Sequence, residues 1–253
     1  MSTLLKFDSL AHRIYKMNNK LLFSQFLMTL IFTFNVNAQP EIEMVFVEGG
    51  KFMMGSNEGD EFNRPAHEVN VPSFYIGKYE VTQLQLRSVM GYNQSTFSNC
   101  DECPVETISW KDIQNFIKKL NLESGKKYRL PTEAEWEFAS KGGVKTKGYT
   151  FSGGNNISDV AWYFENSDST IHKVGLKQPN ELGIYDMTGN VWEWCSDLAS
   201  SYSNKNWKNE GSYRILRGGS WISGEDICFP WYREYDGPKC RRPSGGFRLA
   251  LDN

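Results

Sequence analysis

Short apolar runs, interrupted by glycine, asparagine and aspartate, fill the chain from Gly143 to its C-terminus. Turns are therefore frequent, because these residues favour the backbone conformations that turns need. The 253 residues include 22 glycines and 8 tryptophans, and 40% of them are hydrophobic. Such a chain can bury one sizeable core around large aromatic side chains. The pattern predicts an irregular, loop-rich α/β (α+β) fold and argues against a helical bundle.

Two stretches in the first third of the chain have the character of strands. Residues 44–55 read as two short strands around the pair Gly49-Gly50, which predicts a β-hairpin. Residues 74–81 are a further strand candidate.

Two helices are predicted before Gly143. The first covers residues 110–121, where apolar residues recur at helical spacing after the N-cap Ser109, and it is expected to end at Ser124-Gly125. The second begins after the N-cap Thr132, with Glu135 placed to complete a capping box, and ends after Lys141 at a Gly-Gly pair.

The N-terminal segment differs from the rest of the chain. Lys20 precedes an uncharged stretch, residues 21–38, that is rich in Leu, Phe and Ile and ends with Ala38 in place for cleavage. We therefore predict a signal peptide over residues 1–38, with Met17 as an alternative start. A retained membrane anchor is the other interpretation of this run.

Residues 39–253 contain no repeat, low-complexity tract or linker, so we expect a single domain without a transmembrane segment after cleavage. Residues 1–38 carry four basic residues and one acid, so the net charge changes from −2 for the whole chain to −5 for the remainder. This charge argues against nucleic acid as a partner. All five cysteines lie in this remainder, where an odd number leaves at least one thiol free or paired between chains. We expect a secreted or periplasmic protein, in which disulfides persist.

Several common chemistries are excluded by the inventory of residues. The sequence has no Gly-rich phosphate loop, no His-Glu-x-x-His and no Gly-x-Ser-x-Gly elbow. Only His67 and His172 follow residue 38, so a site with three imidazoles cannot be built from one chain.

A turn with carboxylates at both ends covers residues 186–194. Asp186 and Glu193 can supply charged oxygens, and a loop containing Gly189 exposes carbonyls, a set that suits calcium. The alternative is a plain turn whose tryptophans lie in the core.

Cysteines occur in two settings. Cys100 and Cys103 are best explained as a structural loop disulfide, although a redox pair, half a zinc site, or a more distant partner for Cys103 are alternatives. Cys228 follows an Arg-Gly-Gly-Ser-Trp segment. It is either a reactive thiol, with its pKa lowered by Arg217 or Arg233, or a disulfide partner of Cys195 or Cys240.

Several stretches occur together in a characteristic order: residues 49–55 (GGKFMMG), 78–82 (KYEVT), 104–106 (PVE) with 109–110 (SW), 128–137 (YRLPTEAEWE), 189–194 (GNVWEW), 217–221 (RGGSW) and 246–248 (GFR). This set resembles the sulfatase-modifying-factor (formylglycine-generating enzyme) family over roughly residues 42–250. The resemblance implies the family's irregular α/β fold, a variant of the C-type lectin fold.

The resemblance also implies a chemistry. In the family's enzymes two cysteines after the Arg-Gly-Gly-Ser segment hold copper(I), and oxygen converts a cysteine of a sulfatase's Cys-x-Pro-x-Arg sequence to formylglycine. Counting from Ser220, the second family cysteine falls on Cys228 and the first on Ser223. A hydroxyl is a poor ligand for copper(I), so the thiol pair is incomplete unless Cys195 or Cys240 replaces the lost ligand.

Two further sites follow from the resemblance. Trp192, Ser220 and Arg233 match residues of the peptide groove. A calcium site matches Asp186 and Glu193 with the carbonyls of Gly189 and Val191, which favours calcium over the plain turn.

Two functions remain at this stage. The favoured hypothesis is a non-catalytic binding or assembly module of the cell envelope, stabilised by calcium, that uses the groove for a peptide or glycan. The expected partner is a peptide or protein, with a sulfatase as one candidate. The alternative is a copper-dependent formylglycine-generating oxidase acting on a sulfatase through Cys228 with altered metal ligation.

Overall fold

The computed structural model describes residues 41–203 and 212–253. The predicted signal peptide at residues 1–38 lies outside the described residues. Residues 40–253 form one compact unit. Within the described ranges, no helix has the length and apolar character needed to cross a membrane.

In the part of the chain that the structure describes, nine short strands form three small sheets. The strands are β1 (Met44–Val47), β2 (Gly50–Met54), β3 (His67–Val71), β4 (Phe74–Gly77), β5 (Trp192–Leu198), β6 (Arg214–Arg217), β7 (Arg233–Asp236), β8 (Gly245–Gly246) and β9 (Ala250–Asp252). Their orders are β1-β4-β9, β2-β3 and β7-β6-β5-β8, and only the β5–β8 pair is parallel.

The predicted hairpin at residues 44–55 is wrong. β1 pairs with β4 and β2 pairs with β3 in one continuous antiparallel register, in which Val47 faces Phe74 and Gly50 faces Val71. The glycine pair is thus a break within an extended segment and not a turn. A Cβ on Gly49 would lie 2.5 Å from the Val71 carbonyl oxygen, so the close approach of two backbones requires glycine there.

Four α-helices accompany the sheets within residues 41–203 and 212–253: α1 (Gln83–Met90), α2 (Trp110–Ser124), α3 (Glu133–Ser140) and α4 (Ile157–Val160). Two 3₁₀ turns occupy Gly143–Lys145 and Glu225–Ile227. Both predicted helices are present with their predicted capping residues, and the first extends to Ser124. The sequence analysis missed α1, although Thr82 and Gln85 form a capping box there.

Two apolar clusters form the main core. One packs α2 against β5, β6 and the C-terminal segment, with Phe116, Trp194 and Phe247 at its centre. The other packs α3 against the β1–β4 ribbon through Trp136, Phe138 and Phe74. Strands β5 and β6 contribute to both clusters. Because the two strands pair antiparallel, with Glu193 opposite Arg217, the segment before β5 and the segment after β6 lie at the same end of the sheet.

Candidate functional site

Strand β5 carries Glu193 into the core, where the side chain is 1% exposed. Arg248 donates to both of its carboxylate oxygens, from Nε to Oε2 at 2.6 Å and from Nη2 to Oε1 at 2.7 Å. The Trp136 indole also donates to Oε2, at 2.8 Å. Glu193 is therefore neutralised and held by charge-assisted hydrogen bonds.

Two more buried carboxylates share this region. Asp186 accepts a hydrogen bond from the Gly175 amide at 2.7 Å. Glu80 accepts from the Asn190 side chain at 2.7 Å and from the Val191 amide at 3.2 Å. The sequence analysis missed Glu80, although it lies in the Lys-Tyr-Glu-Val-Thr stretch that supported the resemblance.

The pKa values of these acids reflect an excess of negative charge. Burial, followed by the charges of Asp186 and Glu193, holds the pKa of Glu80 well above its usual range. Burial raises the pKa of Asp186 to about 6, although the Gly175 amide and Arg248 oppose the shift. Three carboxylates thus face one guanidinium, and a proton or a cation would relieve the imbalance.

Two of the calcium ligands predicted from sequence, Asp186 and Glu193, belong to this cluster. Asp186, Gly189 and Asn190 have positive φ angles of 57°, 78° and 56°, which curl the turn sharply before β5. The oxygen ligands and net negative charge suit a hard cation, but Glu193 would have to share its oxygens with Arg248. Across residues 41–203 and 212–253, no group of three or more His, Cys, Asp or Glu side chains is arranged to hold a metal. Calcium binding stays a prediction.

The Arg-Gly-Gly-Ser segment continues from β6 and packs directly against this turn. The Gly189 amide donates to the Gly218 carbonyl, and the Trp221 amide donates to the Asn190 carbonyl, both at 2.9 Å. The structure therefore brings together the two motifs that sequence analysis singled out separately.

Ser223 is the residue that the count from Ser220 matched to the first of the two family cysteines. Its Oγ accepts a hydrogen bond from the Ser220 amide at 2.9 Å and lies 3.1 Å from Ser220 Oγ. Both serines are buried, at 2% and 0% exposure. The hydroxyl is thus part of a closed polar turn.

Cys228, which the same count matched to the second family cysteine, is fully buried. Burial raises the pKa of its thiol to about 12, against an opposing hydrogen bond from the Ser220 amide. The thiol lies against Gly219, where an added Cβ would be 2.6 Å from Sγ. The expectation of a pKa lowered by a neighbouring arginine is wrong, because Arg217 pairs with Glu137 and Arg233 with Glu133. A thiol in this state is protonated at neutral pH and a poor nucleophile.

The remaining cysteines do not complete a copper site. Cys100 and Cys103 form the predicted loop disulfide. Cys195, Cys228 and Cys240 are all free thiols, which excludes the alternative of a disulfide to Cys228 in this structure. Cys195 packs in the core beside α3, Cys228 packs in a separate cluster with α4, and Cys240 contacts Asp236 and Arg242. A serine hydroxyl and one protonated thiol do not fit copper(I).

The three predicted groove residues are all buried. Trp192 is 4% exposed and its ring centroid lies 6.2 Å from that of Tyr232. Arg233 donates to Glu133 from Nε at 2.6 Å and from Nη2 at 3.0 Å. Ser220 contacts Ser223, as described above. Their role in a peptide groove stays a prediction.

Two exposed apolar side chains flank Ser223. Ile222 precedes it and is 50% exposed. Phe164, at 68% exposure, donates its amide to the Ser223 carbonyl at 3.0 Å. Two exposed apolar side chains therefore lie beside the serine at this position.

Comparison with protein families gives one match that covers most of the chain. The profile of the sulfatase-modifying factor enzyme 1-like domain (FGE-sulfatase) matches residues 31–253.

Three curated relatives differ in how much of their length the chain covers. The chain is 35% identical over 241 residues to chaperone protein LppX of Paenibacillus barcinonensis, covering 74% of this chain and 82% of that protein. It is 36% identical to serine/threonine-protein kinase pkn1 of Chlamydia caviae, covering 82% of this chain and 38% of the kinase. It is 32% identical to the formylglycine-generating enzyme of Streptomyces coelicolor, covering 59% of this chain and 52% of the enzyme. The chain thus spans less than two thirds of the last two relatives.

Solved structures confirm the predicted fold class. Treponema denticola variable protein 1 superposes with a TM-score of 0.78 at 30% identity, covering 85% of this chain and 97% of that one. PvdO from Pseudomonas aeruginosa superposes with a TM-score of 0.69 at 24% identity, covering 84% of this chain and 95% of that one. The likeness to PvdO concerns the fold alone.

Proposed function

The chain belongs to the sulfatase-modifying-factor family, and on that premise we propose that it is an exported, non-catalytic member that binds another polypeptide in the cell envelope. The observation that carries the proposal is the state of the two family cysteine positions. Ser223 is bonded into a turn with Ser220, and Cys228 is buried with a raised pKa. The copper(I) clamp of the family's oxidases needs two cysteine sulfurs, and this pair offers one.

The comparison with a chaperone supports the binding half of the proposal. Among the relatives described above, the protein named a chaperone is the one whose length the chain covers by more than two thirds, at 82%. A polypeptide-binding role requires the fold and a surface but no reacting group. The exposed Phe164 and Ile222 beside Ser223 provide apolar area for such contacts.

Export is supported by two independent features. The uncharged stretch at residues 21–38 has the composition of a signal peptide. The Cys100–Cys103 disulfide is typical of proteins that leave the cytoplasm. Calcium is part of the proposal as a structural ion, held by Asp186 and Glu193 with the carbonyls of Gly189 and Val191.

The oxidase alternative rests on the 32% identity to the Streptomyces coelicolor formylglycine-generating enzyme. It would require Cys228 to act with a metal ligand other than Ser223. The same experiment therefore tests both functions.

The test incubates residues 39–253 with a Cys-x-Pro-x-Arg peptide, copper(I), oxygen and a reductant, and follows the peptide by mass spectrometry. We expect no aldehyde from the native protein, and copper(I) binding to appear only in Ser223→Cys, which restores a thiol pair. The Cys228→Ala variant and a peptide with serine in place of cysteine are the controls. Conversion of the peptide by the native protein would overturn the non-catalytic assignment.

A second arm tests binding directly. The native protein is mixed with a reporter enzyme that unfolds on heating, and aggregation is followed by light scattering. We expect the protein to suppress aggregation at near-equimolar ratios. A folded protein that leaves aggregation unchanged would contradict a polypeptide-binding role.

A further inference from the structure

A pocket lies where the first turn of α2 meets the open end of the β6–β7 ladder, and Ser223 is not among the residues that line it. Its volume is about 640 Å³, within the range of ligand pockets. We call it the basic pocket; its main lining residues are Trp110, Lys111, Tyr213, Arg214, Lys239 and Cys240. The Lys111 amide donates to the Pro238 carbonyl at 3.1 Å, which fixes the two walls relative to each other.

The pocket carries three basic side chains that form no ion pair with the described residues around it. Lys111, Arg214 and Lys239 line it, and none of them has an ion-pair partner among residues 41–203 and 212–253. The two acids closest to it in sequence are already paired, Asp112 with Arg241 and Asp236 with Arg242. This local surplus stands out because the whole chain has a net charge of −2.

Lys111 is placed where a lysine is unfavourable for the helix. It is the second residue of α2, after the N-cap Ser109. The aligned peptide dipoles make that end of the helix positive, so a cation there weakens the helix and adds to the positive potential of the pocket. The structure of the helix alone does not account for this lysine, whereas an anionic partner would.

The pocket also has an aromatic wall of fixed orientation. The Trp110 indole donates to the Cys195 carbonyl at 3.0 Å, and the Arg214 guanidinium stacks 4.1 Å from the Trp110 ring centroid. Arg214 Nε is buried without a hydrogen-bond partner among the described residues. Tryptophan, tyrosine and arginine are the residues that most often dominate protein–protein contacts.

We propose that the basic pocket binds an acidic segment of the partner polypeptide, with an apolar side chain of that segment against Trp110 and its carboxylates at Lys111, Lys239 and Arg214. The inference rests on the proposed polypeptide-binding function. It adds the basic pocket as a second contact surface beside Phe164 and Ile222, and it specifies an acidic partner segment. Charge complementarity favours an acidic segment over a basic or neutral one.

The binding experiment uses a fluorescein-labelled six-residue peptide with four glutamates and one phenylalanine, and measures fluorescence anisotropy. We expect the native protein to bind the peptide, and its affinity to fall as salt is added. The double variant that combines Lys111→Glu with Lys239→Glu should bind the peptide at least about tenfold more weakly. A peptide with lysines in place of the glutamates should not bind. Equal affinity of the native protein and the double variant would overturn the proposal.

A matched control lies at the other end of the same helix. Lys126 and Lys127 are exposed just beyond the C-terminus of α2, about 20 Å from Lys111 along a helix that rises about 1.5 Å per residue. Lys126→Glu with Lys127→Glu changes the net charge by the same amount and should leave the peptide affinity within about twofold. An equal loss in this control would mean that only overall charge matters, and would overturn the site.

Because glutamate at position 111 suits the helix dipole, the pocket variant should remain folded, which its melting temperature checks.

Cys240 provides a reporter inside the pocket. Of the three free thiols, Cys195 and Cys228 are buried and Cys240 is partly accessible. Saturating peptide should slow the reaction of Cys240 with a maleimide dye at least about threefold, and an unchanged rate would place the peptide elsewhere.

If the double variant still suppresses aggregation as the native protein does, the pocket assignment fails while the proposed function stands. If the native protein binds the peptide but does not suppress aggregation, the proposed function fails by itself.

Discussion

Three buried arginines neutralise glutamates that come from distant parts of the chain. Arg248 pairs with Glu193, Arg217 with Glu137, and Arg233 with Glu133. Arg217, Arg248, Glu133, Glu137 and Glu193 belong to the short stretches that carry the family resemblance. Their first role is therefore structural, since each buried charge is tolerated only because its partner is in place.

Replacement of Arg248 by methionine tests this dependence. The change would leave Glu193 without its partner, next to Glu80 and Asp186, and we expect the free energy of unfolding to fall by about 3–5 kcal/mol. Urea denaturation at neutral pH measures the loss. Arg87→Met is the matched control, because Arg87 and Asp101 are 40% and 56% exposed, and it should cost less than about 1 kcal/mol. Similar losses in the two variants would contradict the argument.

At the scale of elements, the β1–β4 ribbon depends on backbone contact at one glycine. Residues 44–54 run antiparallel to residues 67–77 as one interrupted ladder, and Pro72, which lacks an amide hydrogen, lies opposite Gly49. The Gly49 amide donates to Ser73 Oγ at 3.0 Å instead of to the proline position. The break lets one extended segment serve two sheets.

Gly49→Ala is expected to destabilise the fold by roughly 2 kcal/mol or more, because its Cβ would lie 2.5–2.7 Å from backbone atoms of residues 71–73. The comparison is Gly91→Ala at the end of α1. Gly91 has φ +83° and no atom within 4 Å of an added Cβ, so only the backbone preference changes, by about 1 kcal/mol. Thermal unfolding of both variants separates steric contact from backbone strain. A smaller loss at Gly49 than at Gly91 would show that the ribbon can relax.

At the scale of the whole molecule, an excess of buried negative charge lies where the turn before β5 meets Glu80. Asp186 and Glu80 bind their protons more tightly in the folded than in the unfolded state. Without a metal, the stability contributed by protonated Asp186 is therefore fully present below its ordinary pKa of 3.8. It is lost as pH rises through about 6.

Calcium should offset this loss. At about pH 7.5 we expect saturating calcium to raise the melting temperature by about 5 °C over the EDTA-treated protein, and at about pH 5, where protons compete, by much less. Asp186→Asn should remove most of both the pH dependence and the calcium effect. An unchanged melting temperature on calcium addition at the higher pH would speak against an ion in this cluster.

Much of the local structure and one part of the site could be predicted from sequence, because the signals lie within a few residues. The caps of α2 and α3 need only Ser109 or Thr132 and an acid three positions on. The Cys100–Cys103 disulfide joins near neighbours. Asp186 and Glu193, which the sequence places at the two ends of one turn, interact electrostatically in the folded chain.

Only the tertiary structure decided which distant groups meet. It showed that the glycine pair at residues 49–50 lies at a break in an antiparallel ladder, because strand pairing depends on which other segment packs next to the strand. It added Glu80 to the carboxylate cluster from a segment more than 100 residues before Glu193. It buried Cys228 away from the other thiols, and it assembled the basic pocket from the start of α2 and the ends of two strands. Sequence determines capping, turns and composition because these act locally, whereas burial, charge balance and pocket shape arise from packing between segments far apart in the chain.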